Sequence, residues 1–378
     1  NTYLDSAAGW IILRGAILNY FIFFSFHLKR YDLILKYYFI FFSTNNLILI
    51  LNYNDYNILY YKGFFKTYNL NQLNMINLKN NIEYLNWYIC GLVDAEGSFG
   101  VNVVKHATNK TGYAVLTYFE IAMNSKDKQL LELIKKTFDL ECNIYHNPSD
   151  DTLKFKVSNI EQIVNKIIPF FEKYTLFSQK RGDFILFCKV VELIKNKEHL
   201  TLNGLMKILS IKAAMNLGLS ENLKKEFPGC LLVKRPEFGL SNLNKRWLAG
   251  FIEGEACFFV SIYNSPKSKL GKAVQLVFKI TQHIRDKILI ESIVELLNCG
   301  RVEVRKSNEA CDFTVTSIKE IENYIIPFFN EYPLIGQKLK NYEDFKLIFD
   351  MMKTKDHLTE EGLSKIIEIK NKMNTNRI

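Results

Sequence analysis

The sequence predicts an α+β fold built from two copies of one αββαββα unit, each with a four-stranded antiparallel sheet. Two observations carry this prediction: segments of the second half repeat segments of the first, and in both copies helical segments enclose pairs of alternating strands. The chain has 378 residues, which suits two domains. Because 48% of the residues are hydrophobic, a wholly disordered protein is excluded.

The repeat can be read directly from the residues. The segment IIPFFEKYTLFSQK at 167–180 returns as IIPFFNEYPLIGQK at 325–338, and ICGLVDAEG at 89–97 corresponds to LAGFIEGEA at 248–256. An EHLT block near residue 200 returns as DHLT near residue 358. The spacing between the copies is nearly constant, which indicates an internal duplication.

The domain boundaries follow from this duplication. We assign residues 81–218 to the first repeat, 219–242 to a linker that contains Pro and Gly, and 243–378 to the second repeat. Residues 1–80 lie outside the repeats, and their apolar runs are interrupted by polar residues, which argues against a membrane-spanning helix. We predict a non-catalytic N-terminal extension, with a membrane-associated segment and a small accessory domain as alternatives.

Each repeat shows the same order of elements. A helix leads into a strand pair with a polar, glycine-containing loop, a second helix and a shorter strand pair follow, and two or three helices close the copy. The predicted elements are helices 82–95 and 244–254, strands 98–105, 113–123, 256–263 and 273–282, helices 125–138 and 284–297, and strands 141–146, 152–157, 300–305 and 311–316.

The strand at 113–123 indicates how each sheet is oriented. Thr117, Phe119 and Ile121 alternate with Tyr118 and Glu120, so one face is predicted to pack on helices and the other to be polar. A solvated sheet face has this pattern, but so does a β-ribbon that reads bases in a DNA major groove. The candidate DNA-binding residues on the polar faces are Asn102, Tyr118, Glu120, Lys154, Lys156, Ser261, Tyr263, Gln275, Lys279, Arg301, Glu303 and Arg305.

Charge fits a polyanionic partner without identifying one. Lys and Arg number 49 against 39 Asp and Glu, a formal net charge of +10. The abundance of Asn, Ile, Lys, Tyr and Phe indicates an A+T-rich coding sequence. The seven cysteines are scattered and form no CxxC pair, which argues against a disulfide framework and against a zinc site.

Small residues mark one face of the first helix in each repeat. Gly91 and Ala95 are four residues apart, as are Gly250 and Gly254, and this spacing lets two helix backbones approach closely. Close packing would bring the final carboxylates, Glu96 and Glu255, together. Two neighbouring carboxylates repel each other unless a cation lies between them, and oxygen ligands suit Mg²⁺.

These two motifs resemble the paired signatures of the LAGLIDADG homing endonucleases, specifically the monomeric, two-motif members encoded in organellar introns. The resemblance covers residues 81–378. It implies a pseudo-twofold, DNA-binding saddle that cuts both strands of a long asymmetric site and leaves 3′ overhangs. It also implies a monomer that acts on double-stranded DNA and needs no protein partner. With the A+T-rich composition, it favours a mitochondrial location.

The resemblance also implies roles for single residues. Glu96 and Glu255 match the metal-binding carboxylates, Mg²⁺ is the expected cofactor, and Mn²⁺ or Ca²⁺ could occupy the same site. Lys180 and Lys338 match a basic residue near the scissile phosphates, and Gln282 matches a polar residue that positions the attacking water. The sixth motif position, Asp94 and Glu253, more often serves helix and interface structure.

Three departures from the family pattern bear on cleavage. Met123 corresponds to Gln282, so we expect two chemically unequal centres. Ala256 replaces the final glycine of the motif, and a backbone with positive φ there would be strained by about 1 kcal/mol. Glu replaces Asp at both metal positions. Two alternative functions therefore stay open: an RNA-binding intron maturase on the same fold, with intron RNA as its partner, and an inactive relic.

Overall fold

The structure is a computed structural model that describes residues 82–240 and 242–374, together with five strands nearer the N-terminus. Contacts divide the chain into two compact units, Asn1–Ile82 and Glu83–Ile378. In the first unit, β1 (Tyr20–Phe24), β2 (Tyr37–Ser43), β3 (Asn46–Tyr53), β4 (Tyr56–Tyr61) and β5 (Phe64–Asn69) form one antiparallel sheet in sequential order. The rest of residues 1–80 lies outside the described residues, so the role of this extension remains a prediction. None of the described helices is long and apolar enough to cross a bilayer.

The first repeat contains the elements in the predicted order. They are α1 (Ile82–Glu96), β6 (Gly97–Lys105), β7 (Tyr113–Asn124), α2 (Lys128–Thr137), β8 (Ile144–Asn147), β9 (Thr152–Val157), α3 (Ile168–Lys173), α4 (Lys180–Lys195) and α5 (Leu202–Ala213). Another helix, α6 (Glu221–Glu226), follows the repeat. A π-helical segment, Ile163–Ile167, leads into α3. The short helix α6 lies within the stretch assigned to the linker.

The second repeat follows the same plan. It consists of α7 (Lys245–Glu255), β10 (Ala256–Asn264), β11 (Lys272–His283), α8 (Lys287–Leu297), β12 (Arg301–Val304), β13 (Ala310–Val315), α9 (Ile326–Glu331), α10 (Lys338–Lys353) and α11 (Glu360–Asn371). Its π-helical segment is Ile321–Ile325.

Each repeat folds its strands into one antiparallel sheet, as predicted. The strand orders are β6-β7-β9-β8 and β10-β11-β13-β12, so the long hairpin of each repeat lies beside its shorter hairpin. The helices predicted over 125–138 and 284–297 each begin as a 3-10 turn, Ser125–Asp127 and Ile284–Asp286. In each turn a side chain just before it, Asn124 or His283, accepts a hydrogen bond from the backbone.

One face of each sheet packs on helices through aromatic side chains. Phe99 lies at the centre of the first cluster and Phe258 at the centre of the second, and both are fully buried. Phe119, Phe171, Phe184 and Phe187 surround the first, and Phe278, Phe329, Tyr342 and Phe345 surround the second. Burying each ring contributes about 2 kcal/mol or more, and this packing fixes which face of the sheet remains free.

Candidate functional site

The first helices of the two repeats, α1 and α7, pack with their backbones in close contact. A Cβ added at Gly91 would lie 1.9 Å from the Trp247 carbonyl oxygen, and one added at Gly250 would lie 1.8 Å from that of Tyr88. A Cβ on Gly254 would lie 2.3 Å from the Cβ of Ala95. Since no Cβ fits at these distances, the small residues permit the helix pairing, and the predicted close approach is confirmed.

This pairing brings the last residues of the two helices together. Glu96 ends α1 and Glu255 ends α7, and a Cβ on Gly254 would lie 3.2 Å from Glu96 Oε1. Burial raises the pKa of Glu255 to about 7, and the charge of Glu96 contributes to the rise. Gln282 opposes this rise by donating a hydrogen bond to Glu255. The predicted pair of carboxylates and its predicted polar neighbour therefore lie at one place.

Lys180 and Lys338 occupy equivalent positions on either side of this pair. Lys180 begins α4 and Lys338 begins α10. The ammonium group of each donates to carbonyl oxygens in the last turn of the first helix of its own repeat, α1 for Lys180 and α7 for Lys338. Lys180 Nζ lies 3.0 Å from the carbonyl oxygens of both Val93 and Ala95. Lys338 Nζ lies 3.1 Å from that of Ile252 and 2.7 Å from that of Gly254. Burial lowers the pKa of both lysines, and nearby carboxylates limit the effect.

The donor set at this junction fits a hard divalent cation. Glu96 and Glu255 offer carboxylate oxygens, and the raised pKa of Glu255 indicates a site where added positive charge is favourable. Among the described residues, no three His, Cys, Asp or Glu side chains group as metal ligands. Water and phosphate oxygens would therefore complete the coordination, as is usual for Mg²⁺.

The buried acids at the sixth motif position join the two repeats. Asp94 accepts hydrogen bonds from the backbone N–H of Phe177 at 2.6 Å and from the Trp247 indole of the other repeat at 2.9 Å. Burial raises its pKa to about 6. Glu253 accepts from the Tyr88 hydroxyl across the interface at 2.5 Å and from the backbone N–H of Lys338 at 3.0 Å.

A second pair of acids near the lysines was missed by the sequence analysis. Asp127 accepts a hydrogen bond from the backbone N–H of Gln337 at 2.8 Å, and Asp286 accepts one from Gln179 at 2.7 Å. Burial raises the pKa of Asp127 to about 6 and also raises that of Asp286. The available signal was only that each aspartate lies in the first turn of a predicted helix, 125–138 or 284–297, where an acid usually stabilises its own helix.

The two halves of the centre differ at one equivalent position. Gln282 lies near the end of β11 and reaches Glu255, whereas Met123 lies near the end of β7, is 8% exposed and has no group that could bond a carboxylate strongly. The geometry is therefore asymmetric, and unequal chemistry at the two centres remains a prediction.

The expected strain at Ala256 is not present. Its backbone has φ −87° and ψ 158°, an extended conformation that any residue adopts. Gly97, the matching residue, also has no positive φ. The condition for strain, a positive φ, is not met because each helix here continues directly into a strand, without a left-handed residue between them.

The predicted DNA-binding residues of the first repeat share the open face of its sheet. Glu120 lies opposite Lys156 in the strand register, and the lysine Nζ is 3.6 Å from its carboxylate. Lys154 Nζ lies 3.8 Å from the same carboxylate, and Lys156 Nζ lies 3.9 Å from the centre of the Tyr118 ring. Asn102 projects from β6 on this face and is exposed.

The second repeat has a corresponding cluster on its open face, with the acid on a different strand. Asp312 on β13 is 2% exposed and binds Arg305 through two contacts of 2.8 and 2.7 Å, with Lys279 at 3.2 Å. Burial opposes its ionisation, but hydrogen bonds from Arg305, Thr281 and Lys279 outweigh it and lower the pKa of Asp312 to about 2. The remaining predicted residues on this face are Ser261, Tyr263, Gln275, Arg301 and Glu303, with Arg301 ion-paired to Glu303.

Comparison with known proteins relates this arrangement to one family. The family model described as LAGLIDADG endonuclease matches residues 89–191 and 248–349. Probable intron-encoded endonuclease 2 of Neurospora crassa is 42% identical over 297 residues, which cover 76% of this chain and 64% of that relative. The chain thus spans just under two thirds of that relative's length.

Two solved structures are similar over most of the chain. The crystal structure of the I-LtrWI LAGLIDADG homing endonuclease bound to target DNA is 99% identical, covers 79% of this chain and 100% of its own, and has a TM-score of 0.78. The I-SmaMI structure with uncleaved DNA target and calcium ions is 42% identical, covers 76% and 98%, and has a TM-score of 0.75.

Proposed function

Because this chain belongs to the LAGLIDADG endonuclease family, we propose that it is a site-specific, metal-dependent double-strand DNA endonuclease that acts in intron homing. It hydrolyses one phosphodiester bond in each strand of a long asymmetric site and leaves 3′ overhangs. The protein works as a monomer on double-stranded DNA and needs no protein partner. The A+T-rich composition supports a mitochondrial location.

One observation carries this proposal. Glu96 and Glu255 meet where the two repeats join, with Lys180 and Lys338 on either side. A centre of this kind contains one lysine per repeat and a shared pair of acids, which suits a reaction that must occur twice, once on each strand. An RNA-binding maturase has no need of this carboxylate pair.

Each group at the centre has a proposed task. Glu96 and Glu255 would hold Mg²⁺, which, when bound, stabilises the attacking and leaving oxygens of phosphoryl transfer. Lys180 and Lys338 present positive charge to the phosphates, where negative charge develops. Gln282 orients Glu255 and, through its free hydrogen-bonding capacity, the attacking water. I-SmaMI has been seen with calcium ions, which supports a divalent cation as the partner of this site.

The open faces of the two sheets supply the DNA-binding surface. A major groove admits a β-ribbon, and Arg, Lys, Asn and Gln match the donors and acceptors of base edges. The clusters around Glu120 and Asp312 hold lysine and arginine side chains in fixed positions on those faces. We propose that these residues contact bases and phosphates.

The proposal is tested with the full-length protein and the target DNA of I-LtrWI, the structure 99% identical to this chain. In Mg²⁺ we expect one double-strand cut, whose sequenced ends carry 3′ overhangs, and no cut in EDTA or in a duplex of scrambled sequence. Glu141→Gln, which changes an exposed acid away from the centre, is the matched control and should cut normally. Tight binding without cutting would contradict the endonuclease, and tight binding of intron RNA alone would favour the maturase.

A further inference from the structure

We propose that Asp127 and Asp286 are positioning residues, and that each sets the lysine of the opposite repeat. This inference rests on the proposed endonuclease activity and adds a specific link between its two centres. Asp127 belongs to the first repeat and bonds the segment that leads into Lys338, whereas Asp286 belongs to the second and bonds the segment that leads into Lys180.

The two aspartates do not perform the local role that their position predicts. Asp127 is the N-cap residue of α2 and Asp286 that of α8, where an aspartate normally accepts a hydrogen bond from its own helix. Neither side chain makes such a bond. Each carboxylate instead accepts from a backbone N–H in the other repeat, at 2.8 Å for Asp127 and 2.7 Å for Asp286.

The helices that receive these bonds are not capped by the side chains of their own N-cap residues. Gln337 and Gln179 are the N-cap residues of α10 and α4, and neither caps its helix with its own side chain. The first backbone N–H groups of a helix lack internal partners, and the helix dipole favours a negative charge beside them. Asp127 and Asp286 add such a charge from across the repeat boundary, beside Glu253 at the start of α10 and Asp94 just before α4.

The absence of a side chain at Gly336 makes room for the Asp127 carboxylate. A Cβ on Gly336 would lie 2.8 Å from Asp127 Oδ1 and 2.5 Å from Glu253 Oε1, so both carboxylates press against this turn. The Gln337 side chain also donates to the Lys126 carbonyl at 3.0 Å. Groups of both repeats thus hold the start of α10 directly before Lys338: Asp127 and Lys126 from the first repeat and Glu253 from the second.

By fixing the starts of α10 and α4, these contacts also fix the positions of Lys338 and Lys180 near the reacting groups. Lys338 and Lys180 follow Gln337 and Gln179 by one position. Their ammonium groups donate to the carbonyl oxygens of Gly254 and Ala95, the residues directly before Glu255 and Glu96. A displacement of about 1 Å can cost roughly a hundredfold in rate when a group must meet a reacting atom. Loss of one aspartate should therefore slow the cut that depends on the lysine of the other repeat.

The test measures the nicking of each DNA strand separately. With full-length protein saturating a duplex labelled on one strand or the other, Lys338→Met and Lys180→Met first identify the strand that each lysine serves. We expect Asp127→Ala to slow the Lys338 strand about tenfold more than the Lys180 strand, and Asp286→Ala to do the reverse, which is about 1.4 kcal/mol of selective loss. Asp127→Asn keeps an acceptor oxygen and should recover most of the rate.

Several controls separate positioning from damage to the fold. Asp139→Asn removes the charge of an exposed aspartate that pairs with Lys166, keeps a residue suited to the positive φ there, and should leave cutting of both strands unchanged. DNA affinity in Ca²⁺ should be unaltered in the aspartate variants, because the loss is expected in the chemical step and not in binding.

If Asp127→Ala unfolds, Asp127→Ser tests the same bond with a shorter polar side chain. Three results would overturn the inference: no slowing of either strand, equal slowing of both, or slowing mainly of the strand served by the lysine of the aspartate's own repeat. A wild-type protein that does not cut would instead contradict the proposed function itself.

Discussion

At the ends of the paired helices, the two glutamates lie in different surroundings. Glu255 is half-buried and bonded by Gln282, whereas Glu96 is exposed and its half of the centre has Met123 at the matching position. Burial and a neighbouring negative charge both disfavour the ionised form of Glu255, so a nearby cation stabilises this carboxylate. The two halves of the centre thus differ both in the burial of the glutamate and in the residue at the position of Gln282 and Met123.

Asp312 gives a residue-scale prediction about pH. Its folded pKa of about 2 lies below the ordinary value of 3.8, so its stabilisation is present above that ordinary value and is lost as the pH falls toward 2. We expect Asp312→Asn to be less stable than the wild type by about 2 kcal/mol near pH 5, with the difference shrinking by about 1 kcal/mol at pH 3. Urea unfolding at both pH values measures this. A difference that does not change with pH would contradict the ion cluster.

At the scale of elements, the packing of α1 against α7 depends on glycine. Gly250→Ala places a Cβ on the Tyr88 carbonyl, and we expect a loss of about 2–3 kcal/mol despite the better helix propensity of alanine. Thermal unfolding checks this prediction. Gly239→Ala is the control, because a Cβ there meets nothing within 4 Å. Equal melting temperatures for the two variants would show that the helices can separate at little cost.

The elements themselves could be predicted well because their signals are local. Alternation in β7 and its partners indicated the strands, and the duplication supported each assignment with a second copy. The predicted strand at 141–146 begins only at Ile144, an error at an element boundary.

The bonds of Asp127 and Asp286 could not be predicted in this way. Their partners, Gln337 and Gln179, lie more than a hundred residues away in the chain. An aspartate at the start of a helix looks the same in sequence whether it caps that helix or bonds to the start of another one. The same holds for Arg235, whose linker position gave no sign of its ion pair with the buried Asp183.

At the scale of the whole molecule, the positive charge predicts salt-sensitive binding. With a formal net charge of +10 and lysines on both sheet faces, binding should rest largely on phosphates. We expect the affinity for target DNA to fall by about a thousandfold between about 50 and 200 mM salt. Lys154→Ala should lower the slope of log affinity against log salt by about one, whereas Asn102→Ala should weaken binding without changing the slope. A flat salt dependence in titrations would contradict DNA binding by these faces.

The most direct test of the central claim is cleavage of a plasmid that carries the target site by the full-length wild type, Glu96→Gln and Glu255→Gln in Mg²⁺. Glutamine keeps the size of the side chain and removes the charge that a cation needs, so both variants should bind the DNA and yield no linear product. Glu141→Gln should cut like the wild type. A linear product at the wild-type rate from either variant would contradict the two-carboxylate centre on which the account depends.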